Sequence, residues 1–480
     1  MTTASVKPEP ARHSRIGAPA APAGGLVIHP DDISSPARKM AFFLCLILVF
    51  IRFSLIHQSL TKLLGLNIYP LYFFGIPAFL GAVVSGGVQR TLTGRGAAWW
   101  CLFAVWNLLA TPFSSWRGGS LFFLRNYLKS DFPMILAIAG LVLTWKECRL
   151  MLRVLALSAL TLILTARFFQ QDDTGFGDRF GMQFGTVANP NDFAAHLLLL
   201  LPFLLWLAGT LKFVPGRILV GLGALGGLVL VLRTASRGAE IAIAAGALYY
   251  FWHASPGRKL ALTVFAAVGI LALPLVLSQD ILLRLRSFSS SVTASQSAES
   301  NVEQSALESE ASRAYLFRKS IEYSLQFPIF GVGPGRFATY EGTNSILPGR
   351  QRGAWQEAHC SYTEVSAEAG LPAFVFFVGG IVITFRLLQR TMREAKLRGD
   401  SPDIERTCLY ILLGMVCFYV AITFVNFAYF FYEPALAGLA IAVSRAAKHE
   451  FALRDLQAAA PRPASPFMSR PALGRFARHA

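Results

Sequence analysis

The chain has 480 residues, of which 54% are hydrophobic and only 15% carry a charge. Soluble domains carry about 25% charged residues, so this composition excludes a soluble enzyme and indicates a protein that crosses a membrane several times. The net charge of +17 is explained for its larger part by basic loops that set the orientation of membrane spans and contact anionic lipid.

Apolar runs long enough, or nearly long enough, to cross a bilayer occur at about twelve places. They predict an all-α polytopic membrane protein, with a bundle of spans in residues 40–278 and the last spans in residues 359–447. Residues 1–39, rich in Ala and Pro, are expected to form a disordered cytoplasmic tail, and residues 448–480 form a second cytoplasmic tail. The runs lie at about 40–58, 67–88, 97–112, 121–143, 150–167, 192–210, 216–232, 238–253, 259–278, 360–386, 406–425 and 431–447.

The Lys and Arg residues indicate the orientation of these spans, since cytoplasmic loops carry an excess of both. With both termini inside, the cytoplasmic side holds most of the 44 Lys and Arg residues. The polar segment 279–358, between the ninth and the tenth span, then faces outward. In a Gram-negative cell this segment is periplasmic, and the protein is predicted to lie in the inner (cytoplasmic) membrane.

Several cations lie at or beyond the outer boundary, where the same rule disfavours them. An unpaired cation at mid-bilayer costs about 2.5–3.5 kcal/mol on insertion scales. So many outward cations favour an anionic ligand at the outer leaflet, although snorkelling to lipid headgroups accounts for part of them. Among these cations are Arg125, Lys129, Arg237, Arg313 and Arg318.

The outer segment is predicted to contain an amphipathic helix. Ser312 is its expected N-cap, and Ala314, Phe317, Ile321 and Leu325 fall on one face at helical spacing. This face is expected to lie on the membrane or on the bundle of spans.

A glycine-rich turn, residues 331–337, follows the helix and contains Arg336. Glycines at alternate positions let the backbone approach a ligand closely, and successive N–H groups can bind an anion. The turn is therefore either a nest for an anionic ligand or a tight re-entry turn.

Four motifs stand near the outer ends of the predicted spans. Two of them open the sixth and the eighth span, one lies in the amphipathic helix, and one opens the tenth span. They are residues 189–194, residues 236–239, Arg313, and His359 followed by Cys360, nine residues and Gly370.

The order and spacing of these motifs resemble the O-antigen ligase and O-antigen polymerase superfamily of bacterial membrane glycosyltransferases. The signature of that family is a His, then Asn, Ser or Gln, then nine residues and Gly. Here Cys360 occupies the second position, which departs from the ligase signature. The resemblance covers about residues 185–385, and the outer segment fits the family's architecture.

The resemblance implies transfer of a glycan from a polyprenyl-diphosphate carrier to an acceptor hydroxyl outside the cytoplasmic membrane, without a metal or another cofactor. The acceptor is lipid A–core in ligases and another repeat unit in polymerases. On the family's pattern, Arg237 and Arg313 bind the diphosphate and His359 acts on the acceptor. Arg318 is a further expected diphosphate ligand, and additional candidates are Arg125, Lys129 and Arg336.

Elementary chemistry agrees with these roles. Arg presents a bidentate fork to phosphate oxygens, so fixed arginines can match the charge that develops on a diphosphate leaving group. A sugar hydroxyl is a weak nucleophile, and a neutral His can accept its proton near pH 7. The six cysteines follow neither a disulfide framework nor a metal-ligand spacing, so no metal site is expected.

Each residue also has a structural interpretation. His359 could be a helix-start residue bonded to the loop backbone, and Arg237 a residue that snorkels at the boundary. Asp192 is expected to be an N-cap rather than a base. Glu364 and Glu368 lie about 140–180° around an ideal helix from His359, so a packing or pairing role is expected for them.

A ligase-like glycosyltransferase is the first functional interpretation, and a repeat-unit polymerase for O-antigen or exopolysaccharide is its alternative. The spans would also suit a transporter or flippase, but such proteins place polar sites near the bilayer midplane in both halves, whereas here the ionisable residues gather at the outer face. A scaffold would leave the His and Arg positions without a purpose. The expected partners are a polyprenyl-diphosphate-linked glycan, a glycan or lipid A–core acceptor and membrane lipids, and no nucleic acid.

Overall fold

The structure, a computed structural model, describes residues 30–67, 69–169, 179–182, 184–277, 279, 281–282, 301–344 and 355–459. These residues form helices and no strand. Most of both predicted tails and the first part of the outer segment lie outside the described residues. In chain order the helices are α1 Pro30–Ser34, α2 Pro36–Ser54, α3 Ile56–Leu64, α4 Pro70–Val84, α5 Gly87–Leu92, α6 Arg95–Ala110, α7 Arg117–Asn126, α8 Pro133–Leu141, α9 Trp145–Phe168, α10 Pro190–Thr210, α11 Val214–Arg233, α12 Arg237–His253, α13 Pro256–Val276, α14 Asn301–Gln326, α15 Phe337–Asn344, α16 Ser361–Arg398, α17 Pro402–Ala421 and α18 Tyr432–Ala459.

Within the described residues, 6 helices are long and apolar enough to cross a membrane. A seventh is added if α2 and α3, which meet at a bend of 73°, form one span. The six are segment Gly96–Phe113, α9, α10, α11, α16 and α17. The all-helical membrane architecture is therefore confirmed, while the number of about twelve spans stays a prediction.

Three of the predicted spans that fall short are interrupted or brief. The apolar run at 121–143 is divided into α7, a π-helical turn at Tyr127–Asp131 and α8. Helix α4 is apolar but only 15 residues long, and α12 has 17 residues. A helix needs about 20 residues to cross the hydrocarbon core unaided, so length explains why these runs do not qualify alone.

The centre of the bundle consists of α10 and α18, whose side chains are buried along most of their length. Helix α10 packs against α9, α11 and α17, and α18 packs against α8 and α16. The two ring nitrogens of His196 lie 2.6 Å from the Tyr432 hydroxyl and 2.8 Å from the Phe53 carbonyl oxygen. This buried imidazole joins α2, α10 and α18 below the end of the bundle where the candidate site lies.

The outer segment differs from its prediction in two respects. Its helix, α14, begins at Asn301, so Ser312 lies inside the helix and is not the N-cap. The side chains that pack on the bundle include Leu316 and Tyr323, whereas the predicted apolar face, represented by Phe317 and Leu325, is exposed. The face that packs on the bundle is completed by two serines, Ser320 and Ser324, and the placement of the predicted apolar face on the membrane stays a prediction.

Candidate functional site

A cavity of about 630 Å³ opens at one end of the bundle. Its walls come from the junction of α2 and α3, the π-helical turn, the start of α10, the loop between α17 and α18, and the outer segment with the first turns of α16. The orientation predicted from the Lys and Arg residues places all these elements on the outer side. Chain segments far apart in sequence therefore converge on one site.

The glycine-rich turn is pressed against a break in α16. Gly370 has φ 80° and ψ 174°, which interrupts α16. The carbonyl groups just before this break point toward the glycine-rich turn. The amide N–H groups of Val332 and Gly333 donate to the carbonyl oxygens of Ala367 and Glu368, both at 2.8 Å. A Cβ atom at Gly370 would lie 2.1 Å from the backbone oxygen of Ile329. The signature glycine is therefore needed for a backbone-to-backbone contact that no side chain would permit.

The glycine-rich turn is occupied by an acidic side chain of the chain itself. The carboxylate of Glu368 accepts a hydrogen bond of 2.7 Å from the Gly335 N–H and one of 2.9 Å from the Phe337 N–H. These two amide groups are thus satisfied internally, as in a carboxylate-filled nest. The turn is a tight re-entry turn held by Glu368, and the pairing role expected for this residue is the one observed.

His359 lies on the cavity wall with its backbone in the left-handed region, at φ 54°. Since α16 begins only at Ser361, His359 is not on the helix. The angular argument that separated it from Glu364 and Glu368 is therefore wrong, and all three residues line the same cavity. Desolvation by burial and, as a smaller cause, the positive charge of Arg313 together lower the pKa of His359 to about 4. The imidazole is accordingly neutral at physiological pH.

Ser361, rather than Cys360, secures the loop that carries His359. The Ser361 hydroxyl donates to the Val425 carbonyl at 2.7 Å and accepts from the Phe427 N–H at 2.8 Å. Cys360 is the N-cap of α16 and makes no capping hydrogen bond with its side chain. The departure from the family signature thus removes a possible cap, while Ser361 ties the helix start to the loop between α17 and α18.

The predicted cations differ in their position relative to the cavity. Arg336 lines the cavity, and its guanidinium stacks over the Trp116 ring at 5.1 Å. The Nε atom of Arg336 is buried and has no hydrogen-bond partner among the described residues. Arg313 lies within electrostatic reach of both His359 and Asp192. These two arginines are therefore positioned to meet an anionic group in or at the cavity.

Four other predicted cations do not line this cavity. Arg237 begins α12, and Arg318 is exposed on α14. Arg125 lies over the Phe122 ring at 5.4 Å, and Lys129 over the Tyr72 ring at 5.0 Å. Their roles as diphosphate ligands stay predictions.

Several cavity residues escaped the sequence analysis. Arg52 ends α2, stacks over Phe431 and pairs with Asp131 of the π-helical turn. Its position at the outer end of an apolar run is the signal that would have found it. Asp192 also lines the cavity but is not an N-cap, because Asn189 holds that position and accepts a hydrogen bond from the Asn191 N–H at 2.9 Å.

The cavity wall contains five acidic side chains that no local sequence pattern brings together. They come from α10, the π-helical turn, the loop before α16 and the first turns of α16. In the part of the chain that the structure describes, no group of three or more His, Cys, Asp or Glu residues is arranged to hold a metal ion. The five are Asp131, Asp192, Glu357, Glu364 and Glu368.

Comparison with protein families gives one match, to a family described as O-antigen ligase, over residues 222–378. The matched segment contains Arg237, Arg313, His359 and Gly370. A comparison with curated proteins finds no match. The family resemblance expected from the motifs is confirmed over this segment.

Proposed function

We propose, from the O-antigen ligase match, that this chain is a membrane glycosyltransferase of the ligase type. It moves a glycan from a polyprenyl-diphosphate carrier to a hydroxyl of lipid A–core or of another glycan. The observation that carries the proposal is a single cavity in which a neutral His359 lies with Arg336 and within electrostatic reach of Arg313. A repeat-unit polymerase would use the same site, with another repeat unit as the acceptor.

In the proposed reaction the acceptor oxygen attacks the sugar carbon that is bonded to the diphosphate. The new glycosidic bond forms, the bond to the diphosphate oxygen breaks, and the acceptor proton passes to the imidazole of His359. Arg313 and Arg336 stabilise the charge that develops on the leaving diphosphate. The imidazolium then returns its proton to water, which restores the neutral base. Fixed guanidinium groups supply the positive charge, so the proposed reaction is metal-independent.

The proposal includes an orientation. Both termini lie in the cytoplasm, and the cavity faces the periplasm of a bacterial inner membrane. The convergence of the predicted outer ends of α2, α10, α16 and α17 on the cavity supports this orientation. Reporter fusions at Gly216 and Gly257 should read cytoplasmic and a fusion at Ser297, which lies outside the described residues, should read periplasmic. The reverse pattern would place the cavity on the cytoplasmic side.

Arginine substitutions test the donor site directly. Arg313→Ala and Arg336→Ala are each expected to weaken binding of polyprenyl diphosphate by about tenfold or more, since hydrogen bonds to charged groups contribute about 1.5–3 kcal/mol. Binding to purified protein in nanodiscs provides the measurement. Arg390→Ala, which removes an exposed arginine of α16 outside the cavity, is the control for charge alone.

The same experiment tests Arg237 and Arg318, the predicted diphosphate ligands that do not line the cavity. A loss of donor binding in Arg237→Ala or Arg318→Ala would extend the diphosphate site to α12 or α14. Donor affinity that is unchanged in all four alanine variants would contradict the proposal that arginines hold the donor.

A further inference from the structure

Several buried polar atoms of the cavity residues have no hydrogen-bond partner among the described residues. They are Glu364 Oε2, Asn426 Oδ1 and the hydroxyl oxygens of Tyr127 and Tyr429. Glu364 is only 7% exposed. Buried polar groups are normally hydrogen-bonded, because an unpaired one loses its hydration without compensation. Their concentration on one cavity indicates a ligand that supplies hydrogen-bond donors.

The orientation of the two acceptor atoms is set by Asn426. Its amide nitrogen donates to Glu357 Oε2 at 3.1 Å and to Glu364 Oε1 at 3.2 Å. The amide nitrogen must be the atom between the two carboxylates, since the amide oxygen would face other acceptors there. This arrangement leaves Glu364 Oε2 and Asn426 Oδ1 without a hydrogen-bond partner among the described residues.

The chemistry of this wall suits a sugar. Carboxylate and amide oxygens accept hydrogen bonds from hydroxyl groups, and tyrosine hydroxyls can donate or accept them. The ring of Phe430, which lines the same cavity and is partly exposed, offers apolar surface to a sugar ring. The oxygens of a diphosphate donate no hydrogen bond, so an unpaired acceptor such as Asn426 Oδ1 suits the hydroxyl groups of the acceptor glycan better than the diphosphate of the donor.

We propose that Glu364 and Asn426 form a subsite that binds hydroxyl groups of the acceptor glycan and orients it toward His359. This inference rests on the proposed glycosyltransferase function and identifies the part of the cavity that the acceptor occupies. Glu357 is a positioning residue in this arrangement, because it holds the Asn426 amide from the other side.

Binding of simple sugars, measured without any transfer, tests the subsite. The probes are the methyl glycosides of glucose, galactose, mannose and N-acetylglucosamine, and their binding is measured by saturation-transfer NMR on protein in nanodiscs, with and without a chelator. At least one glycoside is expected to bind the wild type. In Glu364→Gln its affinity should fall by about 10- to 100-fold. The Gln amide oxygen would accept from Asn426, and its nitrogen would then replace the acceptor that faces the cavity.

Glu433→Gln is the matched control. Both carboxylate oxygens of Glu433 are buried and without a partner, as Glu364 Oε2 is, but Glu433 does not line the cavity. Sugar affinity in Glu433→Gln should equal that of the wild type. If Glu364→Gln does not fold, Glu364→Asp replaces it, since that variant keeps the charge but withdraws the carboxylate from the hydroxyl groups.

Three results would overturn the subsite: no glycoside binds the wild type, the Glu364 variants bind sugar as the wild type does, or Glu433→Gln weakens binding equally. Loss of sugar binding on addition of the chelator would instead indicate that the carboxylates bind a cation. That result would also reject the sugar subsite. Failure of the proposed glycosyltransferase function would give another result. Sugar would then bind in a manner that depends on Glu364, but no glycan would be transferred.

Discussion

His359→Ala is expected to transfer glycan about 10²–10⁴-fold more slowly than the wild type, which is the typical contribution of a general base. His359 lines the cavity, and burial together with the charge of Arg313 holds its pKa at about 4, so the neutral form can accept the acceptor proton. Donor affinity should stay near the wild-type value, because the arginines hold the diphosphate. Initial rates of transfer and donor binding, measured on the same preparations, check both expectations.

His359→Asn is the matched variant for this test. Asn tolerates the left-handed backbone conformation that His359 adopts at φ 54°, so it removes the base without adding backbone strain. It should be as slow as His359→Ala. Transfer at the wild-type rate by either variant would contradict the catalytic role, and a loss of donor binding would make His359 a ligand of the diphosphate instead.

The lowered pKa of His359 also predicts the pH profile. The active form is the neutral imidazole, which predominates above the pKa of about 4. The kcat/KM value should therefore stay level from about pH 8 to about pH 5 and fall only as the pH approaches 4, whereas an ordinary imidazole would lose half its activity near pH 6.5. Burial raises the pKa of Glu357 on the same wall, so Glu357→Gln should be measured in parallel to assign the acid limb.

Gly370→Ala is expected to lower transfer by about 10²-fold, although it touches neither substrate. A φ of 80° with a ψ of 174° is almost confined to glycine and costs an alanine roughly 1–3 kcal/mol, and the new Cβ would lie 2.1 Å from the Ile329 carbonyl oxygen. The turn that carries Arg336 must then move away from α16, and a displacement of about 1 Å in a site can cost about that factor in rate. Thermal unfolding and transfer rate are the two measurements.

Gly399→Ala separates backbone strain from the clash. Gly399 ends α16 at φ 70°, and nothing lies within 4 Å of a Cβ atom built there. Gly399→Ala should lose about as much stability as backbone strain alone costs Gly370→Ala, and it should keep its activity. Equal loss of activity in both glycine variants would mean that strain in α16 alone, and not the contact with the turn, is responsible.

The features of this molecule that could be predicted from the sequence each depend on a short stretch of the chain. Hydrophobic runs marked the membrane architecture, and the spacing from His359 to Gly370 marked the family and the residue at the cavity wall. The outward position of Arg336 in a glycine-rich turn also pointed to the site. Each of these signals lies within one short stretch of chain, where spacing and composition are sufficient evidence.

What the sequence could not reveal depends on contacts between distant segments. Asp131 and Asn426 reach the cavity from opposite parts of the chain, and no local pattern marks them. The helical-wheel argument for Glu364 failed because the helix begins two residues after His359. The sequence left open whether the glycine-rich turn binds a ligand, because Glu368, whose carboxyl group accepts from two of its amide groups, lies 31 residues beyond Phe337.

Glycan transfer by the purified protein in nanodiscs is the decisive measurement. The donor is a polyprenyl-diphosphate-linked glycan, the acceptor is either O-antigen-free lipid A–core or the donor's own repeat unit, and a chelator is present. We expect that one acceptor gains the mass of the donor glycan, that polyprenyl diphosphate is released in equal amount, and that His359→Asn forms no product above background. Donor that binds in the Arg313- and Arg336-dependent manner but is transferred to neither acceptor, or product that forms equally with His359→Asn, would contradict this expectation.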